Sequence, residues 1–230
     1  MRGCFVTGTD TGAGKTVVAA ALLAGLAAAG LRVAASKPVL TGTDEEPDPD
    51  WPRDDVLLAA AAGGTRSSGE VAPVRFGPPV SPHLAAELAG APLEPARLAS
   101  STLEAGSGAD ALVVEGTGGL LAPLTPGYLV RDLALELGLP LVVAARPGLG
   151  TISHTLLTLE AARGAGLRVA GVVLTPWPAR AGAVERSNRH TIAALGAVAV
   201  HALPRIARGE PRAMAAAAAS LPLDELAPEL

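Results

Sequence analysis

The chain has 230 residues, of which 49% are hydrophobic and only 2% aromatic, and its 18 Lys and Arg stand against 22 Asp and Glu for a formal net charge of -4. That size and apolar content suit a single α/β domain over residues 1–230 with one sizeable buried core. No basic run supplies the phosphate contacts on which nucleic-acid affinity rests, and a lone cysteine, Cys4, excludes an internal disulfide and a multi-cysteine metal site.

The first apolar run, residues 3–7, predicts a strand with Cys4 as a buried core thiol. A glycine-rich loop follows, then a helix over 16–29. The uncharged stretch 16–31 between Lys15 and Arg32 is largely Ala and Gly, too short and too weakly apolar for a membrane span. Its place after a glycine loop and a lysine does not suit a signal peptide either, so a cytoplasmic protein with no membrane partner is expected. A second strand over 32–39 carries Lys37 to its end. Residues 41–53 hold Pro47, Pro49 and Pro52 among acidic side chains and read as a solvated loop rather than a domain linker.

Helices are then expected at 55–62, 82–89 and 95–105, a strand at 111–115, a helix at 129–137 and a strand at 140–145. A helix at 151–165, a strand at 169–175, a helix at 183–195 and a strand at 198–203 complete the alternation. The alanine tract 215–219 reads as a frayed or packed helix. Strands alternating with helices imply a parallel sheet. Runs such as Leu112-Val113-Val114 and Leu141-Val142-Val143 are apolar on both side-chain faces, as central strands covered on both sides must be. The fold class is therefore α/β, a doubly wound and mostly parallel sheet with helices on both faces and ligands at the carboxyl ends of the strands; the glycine-rich loop Gly8 to Thr16 after the first strand makes it of the P-loop NTPase type.

The loop Gly8-Thr9-Asp10-Thr11-Gly12-Ala13-Gly14-Lys15-Thr16, placed between a strand and a helix, has the context a phosphate-binding loop requires. Its glycines let backbone N–H groups turn toward phosphate oxygens, the helix start adds partial positive charge, Lys15 reaches the terminal phosphates and the Thr16 hydroxyl suits Mg²⁺. It is one residue longer than the common form, and it lacks the glycine spacing of a dinucleotide fingerprint.

This loop resembles that of the dethiobiotin synthetase family. Four further segments follow in order and at similar spacing: Lys37-Pro38-Val39-Leu40-Thr41-Gly42, Ser81-Pro82-His83-Leu84-Ala85-Ala86, Glu115-Gly116-Thr117-Gly118-Gly119-Leu120-Leu121-Ala122-Pro123-Leu124, and Gly150-Thr151-Ile152-Ser153-His154. The resemblance implies condensation of CO2 with 7,8-diaminononanoate to a cyclic urea, driven by ATP and releasing ADP and phosphate. One amine takes up CO2 as a carbamate, the γ-phosphoryl group converts it to a mixed anhydride, and the second amine closes the ring. Such chemistry asks the protein mainly for positioning and for charge stabilisation.

Carried over residue by residue, the resemblance makes Lys37, Lys15 and Thr11 catalytic. It places Gly12, Ala13, Gly14, Lys15, Thr16, Val17, Asp55, Glu115, Gly116, Thr117 and Gly118 around the nucleotide phosphates, and Thr175, Pro176, Pro204, Arg205 and Ile206 on the base side. Substrate contacts fall to Thr41, Lys37, Gly150, Thr151, Ile152 and Ser153, the last four gripping the carboxylate tail across a homodimer interface. Mg²⁺ falls to Thr16, Asp55 and Glu115.

On their own chemistry these residues leave alternatives. Lys37 suits either a solvated strand end or a cation facing phosphoryl oxygens, Thr41 either a turn or a substrate contact, and Glu115 either a salt bridge or a metal ligand. The second metal carboxylate is Asp54 or Asp55. The pattern of Asp, small apolar residue and Leu favours Asp55-Val56-Leu57, with Asp54 then a helix N-cap. Neither His83 nor His154 has a partner at metal-ligand spacing.

Where much of the family offers an Asn to read adenine, this chain has Thr175, so CTP or another nucleoside triphosphate is as admissible as ATP. The rival reading is a nucleotide-switch ATPase of the partitioning type, which carries a second lysine early in the loop; here Asp10 stands there. An amidating ligase that hydrolyses glutamine needs a nucleophilic cysteine, and Cys4 inside the first strand does not serve.

Overall fold

The computed structural model describes residues 2–46 and 48–229; Pro47 of the acidic loop lies outside the described residues. In chain order the elements are β1 (Arg2–Gly8), α1 (Lys15–Ala28), β2 (Val33–Ser36), β3 (Val39–Leu40), α2 (Asp54–Ala61), α3 (Ser68–Val71), β4 (Val74–Arg75), α4 (Pro82–Leu88) and α5 (Pro95–Ala105). There follow β5 (Ala111–Gly119), β6 (Pro123–Thr125), β7 (Tyr128–Leu129), α6 (Val130–Leu137), β8 (Leu141–Ala145) and α7 (Thr151–Gly164). The chain ends with β9 (Val169–Trp177), α8 (Ala183–Gly196), β10 (Val200–Pro204), α9 (Pro211–Ala218) and α10 (Leu223–Leu226).

Six strands form one parallel sheet in the order β10-β9-β8-β1-β5-β2. From β1 the chain passes to β2 at one edge, returns to β5 between the two, then crosses to β8, β9 and β10 on the other side. The strand order thus reverses beside β1, and the crevice at its carboxyl end is the position where ligands bind in open α/β sheets. The phosphate loop fills that crevice.

Alternating side chains divide the core. Cys4 and Val6 of β1, Val113 of β5 and Val142 of β8 meet α1, α2 and α9 on one face, while Phe5, Leu112, Val114 and Leu141 meet α4, α5 and α6 on the other. Further along the sheet, Val143, Val172 and Leu174 pack on Leu159 of α7 and Ile192 of α8. Burial raises the Cys4 thiol to about 12, which leaves it an inert core group.

Two differences from the sequence reading have local causes, and one open alternative is resolved. The run 32–39 breaks after Ser36, because Pro38 has no N–H for a sheet ladder; β3 then pairs with β4 outside the main sheet. Asp54 does not cap α2: Arg53 occupies the N-cap and Asp54 is the first helical residue. The alanine tract is packed rather than frayed, since Met214, Ala217 and Ala218 of α9 are buried beside α1, and a Cβ on Gly25 of α1 would lie 2.8 Å from the Ala218 methyl.

Candidate active site

Helix α1 begins at Lys15, directly after a loop whose Gly12 and Gly14 have φ values of 70° and 92°. Only glycine enters that region without strain, and a side chain on Gly14 would also run into the Thr175 methyl at the end of β9. Lys15 is buried, and its Nζ donates to the Asp10 carbonyl oxygen at 3.1 Å, so the amine already lies along the loop. Desolvation pushes its pKa below the ordinary lysine value, although Glu115 opposes that.

Lys37 stands where β2 ends, its own N–H donating to the Val71 carbonyl of α3 at 2.8 Å. Its Nζ donates to Glu115 Oε1 at 2.8 Å and to Asp54 Oδ2. Thr16 Oγ1 donates to the same Glu115 oxygen at 2.9 Å. Glu115 leaves the buried part of β5 at the same sheet edge, which is why three segments far apart in sequence meet here. Burial favours the neutral amine of Lys37, but Glu115 and Asp54 together outweigh that and hold its pKa above the ordinary value. Burial raises the Glu115 pKa against the pull of Lys37. Burial likewise favours neutral Asp54, but Lys37 overcomes it and lowers the pKa. Among the described residues Glu115 Oε2 is a buried oxygen without a hydrogen-bond partner.

Asp55 is not brought to this cluster. It is fully buried and its Oδ2 lies 2.6 Å from Arg75 Nη2, with Arg53 Nε 3.5 Å from Oδ1. Asp54, one residue earlier, supplies the carboxylate that faces Lys37. Asp54 rather than Asp55 thus faces the cluster, because consecutive side chains on a helix diverge by about 100°.

Two adjoining cavities open above these groups. One, of about 480 Å³, is bordered by Gly12, Gly14, Lys15, Thr16, Val17, Lys37, Asp54 and Glu115. The other, of about 660 Å³, runs from Thr9, Asp10 and Thr11 past Ser81 and Leu121 to His154 and Leu157 of α7. Thr11, Thr41, Thr117 and Gly118 border both, at the seam between them. A third cavity of about 290 Å³ joins Gly12, Gly14 and Val17 to Thr175, Pro176, Arg205 and Ile206.

Other expected residues serve from behind. Ala13 is buried, and Gly116 lies under the site, where a Cβ would meet Phe5 Cε1 at 2.8 Å and Val130 Cγ1 at 2.9 Å. Pro204 ends β10 and sets Arg205, whose N–H donates to the Trp177 carbonyl at 3.0 Å. Gly150, Thr151, Ile152 and Ser153 open α7 without bordering either of the large cavities of their own chain; beside them Leu149 is 99% exposed.

Two side chains at the site, Trp51 and Arg146, escaped sequence reasoning, and a third, His154, was left without a role. Trp51 borders both the phosphate-loop cavity and the third cavity. His154 borders the larger of the two adjoining cavities. Arg146 follows β8, and its Nε donates to the Gly12 carbonyl at 3.1 Å, bracing the phosphate loop from the neighbouring strand. That contact depends on β1 pairing with β8, which no local pattern announces.

Comparison with known proteins bears on what such a site does. Residues 2–208 match the family model described as AAA domain. The chain is similar to the ATP-dependent dethiobiotin synthetase BioD of Anaeromyxobacter dehalogenans, 46% identical over 76% of this chain and 76% of that one. It is similar to the protein of the same name from Mycobacterium avium, 44% identical over 86% of this chain and 85% of that one. Among solved structures, the cell division ATPase MinD of Pyrococcus furiosus superposes with a TM-score of 0.56 over 97% of this chain and 98% of its own, at 16% identity, a likeness of fold.

Proposed function

The chain belongs to the ATP-dependent dethiobiotin synthetase family, and on that premise we propose how its own residues divide the labour of an ATP-dependent cyclo-ligase that forms C–N bonds. The observation that carries the reading is that Thr16, Lys37 and Glu115 meet through shared hydrogen bonds and, with Lys15, line the cavity over the phosphate loop, which adjoins the larger cavity. The cavity over the phosphate loop takes the triphosphate, and the larger one takes 7,8-diaminononanoate. Thr41 and Thr11 stand at the seam, where the reacting groups meet.

A substrate amine adds to CO2 and loses a proton, giving a carbamate. A carbamate oxygen attacks the γ-phosphorus and the bond to the β-bridging oxygen breaks, releasing the nucleoside diphosphate. The second amine then attacks the carbonyl carbon of the carbamic-phosphoric anhydride; phosphate departs, the amine gives up a proton and the cyclic urea is closed. Lys15 leaves the Asp10 carbonyl for the β- and γ-phosphoryl oxygens. Lys37 neutralises the carbamate and the migrating phosphoryl group, with Thr11 donating from the loop.

The oxygen donors Thr16, Asp54 and Glu115, the last with a free buried oxygen, fit Mg²⁺. When bound there it would offset the charge of the phosphoryl oxygens. Thr175 is nearly buried with its methyl against Gly14, and it carries no amide to read an adenine edge, so selectivity for ATP over CTP and other nucleoside triphosphates is low.

Residues 150–153 and the exposed Leu149 suit a homodimer in which this segment closes the partner's diamine cavity and binds the substrate carboxylate with free helix N–H groups. No helix among the described residues is long and apolar enough to cross a membrane, in keeping with a single-domain cytoplasmic enzyme.

Substituting the two lysines separates their roles. Lys15→Ala raises the KM for nucleotide, whereas Lys37→Ala lowers kcat by about 10²-fold or more at saturating substrates, the scale of losing one charge-stabilising donor. Near-normal kcat in Lys37→Ala, or a loss confined to nucleotide affinity, contradicts the assignment.

A further inference from the structure

Trp51 is one of only two tryptophans in the chain, and it sits in the acidic, proline-rich segment before α2. Several contacts fix it there. Its N–H donates to the Asp48 carbonyl at 3.0 Å and closes a turn, while Gly209, beyond the end of β10, donates its N–H to the Asp50 carbonyl at 3.0 Å. Gly209 packs so closely that a Cβ on it would lie 3.2 Å from Trp51 Cε3 and 2.7 Å from Pro52 Cδ. The indole is half-buried against the same core as Ile206, and the rest of it borders the cavity of about 290 Å³ beside Pro176 and Arg205. Two loops from opposite ends of the chain are thus joined so that an aromatic ring walls the space next to the phosphate loop.

We propose that Trp51 is the stacking platform for the nucleotide base, a specificity-setting residue that gives affinity to any base and preference to none. This rests on the phosphate-loop reading above. A nucleotide whose triphosphate lies over Lys15 and Thr16 must leave its base nearby, and the cavity continuous with Gly12, Gly14 and Val17 is the one that Trp51 lines. Stacking accepts purines and pyrimidines alike, because every base has a π face. Thr175, with its methyl on Gly14, offers no paired amide to discriminate among them.

The test uses the Trp177→Phe protein, in which Trp51 is the sole tryptophan, titrated with Mg²⁺ and ATP, CTP, GTP, UTP or inorganic tripolyphosphate. All four nucleotides should quench Trp51 fluorescence, and tripolyphosphate, bound as measured by calorimetry, should not. Trp51→Ala should raise the Kd of all four nucleotides roughly tenfold while leaving that of tripolyphosphate within about twofold, and Trp51→Phe should recover most of the loss. Quenching by tripolyphosphate equal to that by ATP overturns the proposal, because loop closure alone would then explain the signal. An equal loss for tripolyphosphate and nucleotides in Trp51→Ala, or no loss for either, overturns it as well. Failure of the unsubstituted protein to bind any of these ligands sinks the phosphate-loop reading first, and the platform with it.

Discussion

Lys37 donates to Glu115 and to Asp54, and Thr16 donates to the same Glu115 oxygen, so two carboxylates share one ammonium group and one hydroxyl before any ligand arrives. Mg²⁺ held by Thr16, Asp54 and Glu115, as proposed above, would compete with Lys37 for these oxygens. On that proposal Asp54 is a ligand and Asp55 is not. Asp54→Asn is therefore expected to raise the Mg²⁺ concentration for half-maximal activity by at least about tenfold, since even groups one shell further from a metal matter that much. Asp55→Asn leaves the metal requirement nearly unchanged. It instead lowers stability by about 1–3 kcal/mol, because Arg75 loses its buried charged partner. A metal titration read beside urea unfolding of both variants checks this, and the reverse pattern would restore Asp55 as the ligand. Lys15, Thr16, Lys37 and Glu115 were legible from sequence because each stands at a strand end or in a loop whose geometry the residue types dictate. The choice between two adjacent aspartates was not, since it depends on how α2 is rotated about its axis.

Among the elements, the strands were the easiest to read, because β5, β8 and β9 are buried on both faces and their apolar runs are continuous. Less legible were the short pieces: β3 with β4, β6 with β7, and the four-residue α3, each too brief to show a period and held by contacts distant in sequence. Helix α7 carries a functional consequence. Its buried face holds Thr151, Thr155, Leu159 and Ala162, while Leu157 is 61% exposed and Leu149, just before the helix, points into solvent. Leu157 and Leu121 border the larger cavity, and together with the exposed Leu149 they are the apolar side chains assigned to the face of the proposed dimer. Leu149→Glu together with Leu157→Glu should convert the protein to a monomer in sedimentation at micromolar concentration and raise the KM for the diamine several-fold or more, roughly the effect of losing one charge-assisted contact to its carboxylate. A doubly substituted protein that still sediments as a dimer would exclude this face.

For the molecule as a whole, the order β10-β9-β8-β1-β5-β2 sets everything else, because it puts the reversal of strand order beside β1 and gathers the ends of β2 and β5 around the loop that follows. Alternating strand and helix signals made a doubly wound, mostly parallel sheet readable from sequence, but not the order of its strands. The two loops that meet over the base cavity, near residues 51 and 209, were unreadable because their contact spans most of the chain. A fold of this kind hosts switches and enzymes alike, so the chemistry rests on the site and on family membership. The most direct measurement is product formation: the purified protein incubated with 7,8-diaminononanoate, bicarbonate, Mg²⁺ and each nucleoside triphosphate in turn, followed by mass spectrometry. The expected result is dethiobiotin formed in equal amount to nucleoside diphosphate and phosphate, with ATP and at least one other triphosphate serving. Nucleotide hydrolysis without dethiobiotin, under conditions where all substrates are saturating, would contradict the account.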